Sequence, residues 1–340
     1  MIVVVGGFLG AGKTTLLMRA AQEPVAKGVR GAFLTNDQGS ELVDTQWIRG
    51  ADFPVEAVTG GCFCCRLSDL IGAATRLLSF APQVILAEPV GSCTDIIATT
   101  IRPLEQLYTG HFRVAPFTVL VDPRRPALVA DHPESAWLFQ KQIEEADLIC
   151  YSHADLPVEF PPIGAGPIRK LSGRTGEGVR AWLNEVLSGA WIPAHRVPEV
   201  DYEIYAQAES ALGWVNWRAV LTLHKRRPPA LVFGPLFDDL DAELTKNGIR
   251  IGHLKGTASA ATGCLKASIV FNGAEPVVDG PIQAGPVKQI ELLINLRAAG
   301  DPELLLRTVE SCAHRLPGKL EVLYKEAFRP ARPQPEHRLA

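Results

Sequence analysis

The 340-residue chain lacks any surplus of charge: 34 Lys and Arg stand against 37 Asp and Glu, a formal net charge of −3. So weak a field invites neither nucleic acid nor an anionic membrane surface. Basic pairs such as Arg124-Arg125 and Arg226-Arg227 are isolated, as on solvated faces. No run approaches the roughly 18 apolar residues of a membrane helix. No basic region, apolar stretch or cleavage site stands ahead of Ile2, so the expectation is a cytoplasmic protein. The eight histidines are scattered, with no histidine-rich tract, and no internal repeat is visible. Cysteine is sparse as well, and seven is an odd number, ill suited to a paired disulfide framework.

What remains is a globular composition, 47% hydrophobic and 21% charged, at a length that fits two domains. The first half alternates short β-branched runs with helical patterns, as a doubly wound, mostly parallel α/β sheet requires. Expected strands are 2–5, 31–35, 83–87, 114–121, 148–152 and 167–171. Helices are expected over 13–21, 66–79, 94–107, 134–146 and 177–187. Gly189, Pro193 and Pro198 interrupt the pattern, which sets domain limits at 1–190 and a linker at 191–200. A smaller α+β domain over 201–328, ferredoxin-like in its mixed order, would follow, with strands at 213–223, 264–271 and 290–297 and helices at 237–246 and 301–314. The Pro- and Arg-rich stretch 329–340 reads as a disordered tail.

Gly7-Phe8-Leu9-Gly10-Ala11-Gly12-Lys13-Thr14 satisfies G-x-x-x-x-G-K-[ST] between an apolar strand and a helix, the context that motif needs. Its glycines let backbone N–H groups curl around a phosphate, and the helix points its positive end at the same anion. Lys13 would neutralise the β- and γ-phosphate oxygens and Thr14 hold Mg²⁺, with Gly7, Gly10, Ala11, Gly12 and Thr15 completing the contacts. A second acid is needed near the magnesium. Glu88 ends the strand pattern of 83–87 and can hold a metal-bound water or orient the attacking one. Asp37, after the strand ending at Thr35, is an outer candidate or an ordinary turn acid. Lys13 and Glu88 are therefore the candidate catalytic pair.

For the base, Ser152-His153-Ala154-Asp155 follows a strand, and an Asp carboxylate there can accept from guanine N1 and N2 while adenine presents the wrong groups. Ser172 and Gly173, after the last strand, can bring backbone N–H groups to the guanine O6. GTP and its product GDP are the nucleotides expected.

Cys62, Cys64 and Cys65 lie within four positions in Gly60-Gly61-Cys62-Phe63-Cys64-Cys65. Three soft ligands leave a position open, which suits a transferable Zn²⁺, Co²⁺ or Cu⁺ better than a permanent structural zinc. A redox-active thiol pair and buried structural cysteines are the competing readings. Cys93, Cys150, Cys264 and Cys312 stand in apolar or helical contexts and read as inert core residues.

Taken together, the phosphate loop, Thr35-Asn36-Asp37-Gln38-Gly39, the Cys62-Phe63-Cys64-Cys65 loop, Glu88 to Gly91, Val121-Asp122, Gln142 to Leu148 and Ser152 to Leu156 resemble the CobW family of P-loop GTPases, relatives of the UreG and HypB metallochaperones. The likeness covers about residues 1 to 190. It implies a slow GTPase that binds Zn²⁺ or Co²⁺ and delivers it to a client metalloenzyme or cofactor-synthesis protein, with room for a homodimer and no nucleic-acid or membrane partner. A regulatory switch that docks a partner enzyme without transferring metal is the alternative, and a small-molecule kinase a third. This chain departs from the family pattern in three places. His153 stands where the base motif usually has Lys, and Asp37 replaces a Glu, one methylene shorter. The C-terminal half lacks the family's aromatic and histidine-bearing signature.

Overall fold

A computed structural model describes residues 1–23, 30–39, 41–108, 110–130, 132–164 and 167–339. The chain falls into two compact units. The first holds Met1–Gln38, Asp44–Ala208 and the chain from Arg332 onward; the second holds Gly39–Val43 and Glu209–Ala331.

The first unit is a seven-stranded sheet of β1 (Ile2–Gly6), β2 (Gly31–Asn36), β3 (Val55–Val58), β4 (Val84–Glu88), β5 (Thr118–Val121), β6 (Leu148–Tyr151) and β7 (Ile168–Lys170). Their order is β3-β2-β4-β1-β5-β6-β7, and every pairing is parallel. Strands β1, β5 and β6 are buried at every residue, the unbroken apolar runs that a sheet covered on both faces demands. The covering helices are α1 (Lys13–Gln22), α2 (Val43–Arg49), α3 (Leu67–Leu78), α4 (Arg102–Gln106), α5 (Arg125–Val129), α6 (Pro133–Glu145), α7 (Val179–Leu187) and α8 (Tyr202–Ser210). The order reverses on either side of β1, so the carboxyl ends of β4, β1 and β5 face the crevice where open α/β sheets bind ligands.

Two of the elements expected in this unit take a different form. The strand expected over 114–121 starts only at Thr118; Val114 makes a lone bridge to Ile2, and Pro116 has no N–H to donate to a ladder. The helix expected over 94–107 is a π turn, Ile97–Ile101, running into α4. Asp95 carbonyl oxygen accepts from both the backbone N–H of Thr99, at 3.0 Å, and its Oγ1, at 2.6 Å, the kind of side-chain bond that widens a helical turn.

The second unit runs β8 (Gly213–Arg227), α9 (Ala230–Lys246), β9 (Arg250–Ala260), β10 (Gly263–Ile269), β11 (Val277–Asp279), β12 (Val287–Ala299), α10 (Pro302–Ala313) and β13 (Gly318–Phe328). The antiparallel order β13-β8-β12-β9 is that of a ferredoxin-like βαββαβ fold, extended at the β9 edge by the β10-β11 hairpin. Its core packs Trp217, Leu221, Ile290, Leu292 and Ile294 against Phe233, Phe237 and Leu240 of α9.

The stretch 329–340, expected to be a disordered tail, is instead held down as far as Leu339; Ala340 lies outside the described residues. Arg332 pairs with Glu203 at 2.6 Å, Arg338 with buried Asp95 at 2.8 Å, and the Leu339 N–H bonds Ala98 O at 2.8 Å. Those ionic anchors outweigh the low apolar content on which an expectation of disorder rests. The 191–200 stretch has no regular structure, and His195 N–H donates to Asp147 Oδ1 at 2.8 Å. The first unit accordingly continues past 190, through Ala208.

Candidate nucleotide and metal site

The phosphate loop leaves β1 and enters α1 through three glycines with positive φ: Gly7 at 129°, Gly10 at 76° and Gly12 at 90°. A Cβ on Gly7 would collide with the Leu120 carbonyl of β5, so only glycine lets the loop pass there. Gly91 is also tightly packed, with an added Cβ 3.0 Å from the Leu9 nitrogen. Buried Lys13 folds over the loop, its Nζ donating to Gly7 O at 2.8 Å and Phe8 O at 3.4 Å. These are neutral acceptors, which phosphate oxygens outcompete for an ammonium. Thr14 Oγ1 donates to Glu88 Oε2 at 2.7 Å, so hydroxyl and carboxylate converge as a hard oxygen pair suited to magnesium. Asp37 follows β2, its N–H bonded to Val58 O at 3.1 Å. Thr15 follows Thr14 in the first turn of α1.

Arg125, from a pair the sequence places on a solvated face, is instead buried: Nη2 donates to Leu9 O at 2.8 Å and the guanidinium lies over the Phe8 ring, 5.3 Å from its centroid. Its partner Arg124 grips buried Asp122 with Nε and Nη2 at 2.9 and 2.7 Å. Burial pushes the Asp122 carboxyl up, but that fork more than offsets it and holds the acid below its usual range. Isolation in sequence hid both roles; the signal that could have found them is position, just past the end of β5 in a parallel sheet.

The base segment follows β6. Ser152 Oγ donates to Val121 O at 3.2 Å and shares a hydrogen bond of 2.7 Å with His153 Nδ1. His153 sits at φ 59°, and burial first of all lowers its pKa, keeping the ring neutral. Ala154 N–H to Leu171 O, 3.2 Å, ties this segment to the loop after β7. There Ser172 Oγ accepts from the N–H of Arg174 and Thr175 at 3.2 and 3.1 Å, while Gly173 lies flat on α1, an added Cβ 2.9 Å from Leu16 N. Arg19 of α1 reaches Thr175 O at 2.9 Å. Asp155 is half-buried beside these loops.

The cysteine loop leaves β3 and enters α3. Asn36, at the end of β2, fastens it: Nδ2 donates to Val58 O at 3.0 Å and Gly61 O at 2.8 Å, and Oδ1 accepts from Phe63 N–H at 2.8 Å. The Sγ atoms of Cys62, Cys64 and Cys65 lie within 4.8 Å of one another, the one such group of metal-ligating side chains among the described residues. Their separations are 2.7 Å for Cys62–Cys64, 3.2 Å for Cys62–Cys65 and 3.6 Å for Cys64–Cys65. Sulfurs bound at ~2.3 Å around a tetrahedral ion stand about 3.8 Å apart, so the cluster fits after opening by about 1 Å. Side-chain hydrogen bonds with Cys64, Cys65 and Cys93 draw the Cys62 thiol well below its ordinary value. The hydrogen bond with Cys62, helped by burial, in turn pushes the Cys65 thiol up to about 12. The chain's end lies over the loop: Gln334 N–H donates to Cys65 Sγ at 3.1 Å, Glu336 N–H to Cys64 O at 3.0 Å, and Glu336 Oε2 accepts from Ser68 Oγ at 2.6 Å.

Strand, glycine loop and helix at the centre of a parallel sheet, with an acid on the neighbouring strand facing the loop's threonine, define a P-loop nucleotide-binding domain. The family model of the CobW/HypB/UreG nucleotide-binding domain matches residues 1–159, and this part of the chain is similar to that family. The zinc chaperone YjiA of Escherichia coli K12 is 38% identical over 78 residues, 23% of this chain and 24% of the relative. The zinc chaperone CobW of a Sinorhizobium species is 35% identical over 97 residues, 26% of this chain and 27% of the relative. The match thus spans about a quarter of either relative's length. Zn(II)-bound YjiA GTPase from E. coli is similar with a TM-score of 0.36 and 15% identity, over 93% of this chain and 98% of that one. HypB from Helicobacter pylori in complex with nickel gives 0.39 and 18%, over 55% and 85%. The fold rests on the strand order above and takes nothing from scores of that size. No described helix is long and apolar enough to cross a membrane.

Proposed function

We propose that the chain is a GTP-hydrolysing metallochaperone that takes up Zn²⁺ at Cys62, Cys64 and Cys65 and releases it to a client metalloenzyme or cofactor-synthesis protein. The observation that carries this reading is that Asn36 bonds the cysteine loop while sitting one residue before Asp37, on the same sheet edge as the phosphate loop. Metal and nucleotide segments therefore share a fixed point. The zinc-chaperone relatives support the same reading.

Magnesium would lie against Thr14 and Glu88, where it neutralises phosphate charge when bound. Lys13 exchanges its two loop carbonyls for β- and γ-phosphate oxygens, and the N–H groups of Gly10, Ala11 and Gly12 orient the chain of phosphates. Asp37 stands in the outer shell. Asp155 accepts from guanine N1 and N2, neutral His153 lies by the base, and Ser172-Gly173 closes over it by backbone. Turnover is slow, because the sequence offers no arginine assignable as a finger to the transferred phosphoryl group, and such a finger is worth about 10³ to 10⁵ in rate. Co²⁺ takes the same thiolates and serves as the coloured stand-in for zinc.

The test is titration of the purified chain with Zn²⁺ in Mg²⁺ and a non-hydrolysable GTP analogue, then in GDP. Tighter zinc binding in the triphosphate state, lost when all three cysteines become serine, is the expected result. Zinc affinity equal to that of the triple serine variant would defeat the metal reading and leave a nucleotide switch.

A further inference from the structure

The stretch 332–339 crosses the cysteine loop on a fixed path, with neither helix nor strand of its own. Pro333 and Pro335 account for the path, since each locks its own φ and keeps the residue before it extended. Proline has no N–H to give, which leaves Gln334 and Glu336 as the backbone donors of 333–336. Two positions apart in an extended chain, their N–H groups point the same way. Both point at the cysteine loop: Gln334 N–H donates to Cys65 Sγ at 3.1 Å and Glu336 N–H to Cys64 O at 3.0 Å. The Glu336 carboxylate then closes on the first turn of α3, accepting from Ser68 N–H at 3.1 Å and Ser68 Oγ at 2.6 Å.

The hold is uneven along the segment. Over the sulfurs it is slight, because Gln334, Glu336 and Ser68 are exposed and water can replace each of their bonds. Beyond them it is firm. Asp95 is buried at φ 63°, a conformation acids tolerate better than most side chains. Its carboxylate accepts from Tyr202 Oη at 2.6 Å and from Arg338, whose Nε stands at 2.8 Å and Nη2 at 3.4 Å. Arg338 Nη2 also donates to Pro198 O at 3.2 Å, and Leu339 N–H to Ala98 O at 2.8 Å. A carboxylate sunk this deep needs a cation, and the segment brings it. The place it crosses matters as well. Cys62 and Cys64 are buried, Cys65 is the half-exposed member of the cluster, and Cys65 Sγ is the sulfur that Gln334 covers.

We propose that the segment 332–339 is a releasable cover over the three thiols, latched by Arg338 on Asp95, which an ion must pass on entry and a client must displace to collect it. The proposal rests on the metal-binding reading above and deepens it, naming what controls access to that site. Closed, the cover shields the ion from competing ligands, and its N–H bond steadies the outermost sulfur. Lifted, it bares Cys65 first. Weak contacts over the sulfurs and a strong one beside them suit this use, since the covering part can open while the latch keeps the segment near its seat.

The test has a metal-free arm and a zinc-loaded arm, both on the full chain. Without metal, the rate at which a maleimide alkylates Cys65, read by mass spectrometry of its peptide, reports how often the cover lifts. Half-exposed Cys264, in the second unit, is the internal control. With zinc, the loss of the ion to a coloured chelator is timed. Arg338→Ala should speed both processes by about tenfold or more, because a rate through a locally opened state follows that state's population. Glu336→Ala cuts only exposed contacts and leaves Asp95 paired, which guards against a latch variant that fails to fold; it should speed both by about threefold. Cys264 should react at the wild-type rate throughout, and thermal unfolding checks that each variant is folded. Wild-type alkylation of Cys65 in the folded variants would overturn the proposal, and so would faster alkylation with unchanged zinc loss. Faster alkylation in a protein that takes up no zinc would support the cover and overturn the metal-binding reading instead.

Discussion

The phosphate loop and the base segment sit on the same sheet edge, but one is braced and the other is strung between neighbours. Around the phosphate loop, Leu120 crowds Gly7, Leu9 meets Gly91, and Arg125 holds Leu9 O while covering Phe8. The base segment is held by backbone bonds from Ser152 to Val121 and from Ala154 to Leu171 and by a serine-histidine pair, at the strand next to the sheet's rim. Phosphate recognition relies on backbone N–H groups, which must be fixed beforehand because they cannot swing to meet a ligand. Base recognition relies on side-chain ends, which can adjust. The difference predicts graded losses, large and uniform for the phosphate side, smaller and selective for the base side.

Lys13→Ala should have the largest effect. Losing two charge-assisted contacts to phosphate removes about 3 to 4 kcal/mol, a few hundred-fold in Kd or more, and GTP and ATP should suffer equally. Calorimetry showing wild-type GTP affinity in a folded variant would remove the phosphate assignment. Arg125→Ala touches no nucleotide yet strips the loop of its brace. A buried charged hydrogen bond is worth about 1.5 to 3 kcal/mol, so we expect both a lower thermal midpoint and roughly tenfold weaker GTP binding. A drop in stability alone would mean that the loop keeps its shape without the guanidinium.

Asp155→Asn should barely alter total affinity for triphosphates and instead reduce the preference for GTP over ATP by about tenfold, since the amide turns one acceptor into a donor facing guanine's own donors. Competition between the two nucleotides reads this directly. An unchanged ratio would take Asp155 out of the base site and blunt the contrast between the two halves.

How much of this was legible in the sequence depended on whether the determinant was local. The phosphate loop is a contiguous motif between a strand and a helix, and its placement follows from eight residues. The cysteine triplet is equally local. Arg125 reads as a surface charge because its partner, Leu9, lies 116 positions away by sequence numbering. Strand β9, Arg-Ile-Gly-His-Leu-Lys-Gly-Thr-Ala-Ser-Ala, escaped notice because glycine and alanine dilute its alternation, although it pairs on both sides. The tail misled for the opposite reason. Its composition is that of a disordered segment, while its order comes from single ion pairs with Glu203 and Asp95 and from backbone bonds to Cys64 and Ala98.

The smallest expected effect probes whether the base half is the softer one, and it is a matter of pH. Asp147 stands just before β6 and holds its start: Oδ2 accepts from Phe117 N–H and Oδ1 from His195 N–H, each at 2.8 Å. The His195 ring lies 3.1 Å from Asp147 and 3.4 Å from Glu105. Burial by itself would lower the imidazole pKa, but the two carboxylates outweigh it and carry the group up to about 9, against an ordinary value of 6.5. A histidine whose folded pKa is raised stabilises fully below its unfolded value and loses that contribution as pH rises through the folded one. The window therefore opens near 6.5 and closes near 9. Allowing for solvent screening of a group this close to the surface, the loss across it is about 1 to 2 kcal/mol. His195→Gln should remove that slope, so wild type and variant differ in thermal midpoint at pH 6 and converge at pH 9.5. Hydrogen exchange should report the loss first in β6 and the 152–156 segment and leave the phosphate loop protected. Equal loosening of both halves at high pH would show that the sheet edge responds as one piece, and the contrast drawn from the bracing would fail.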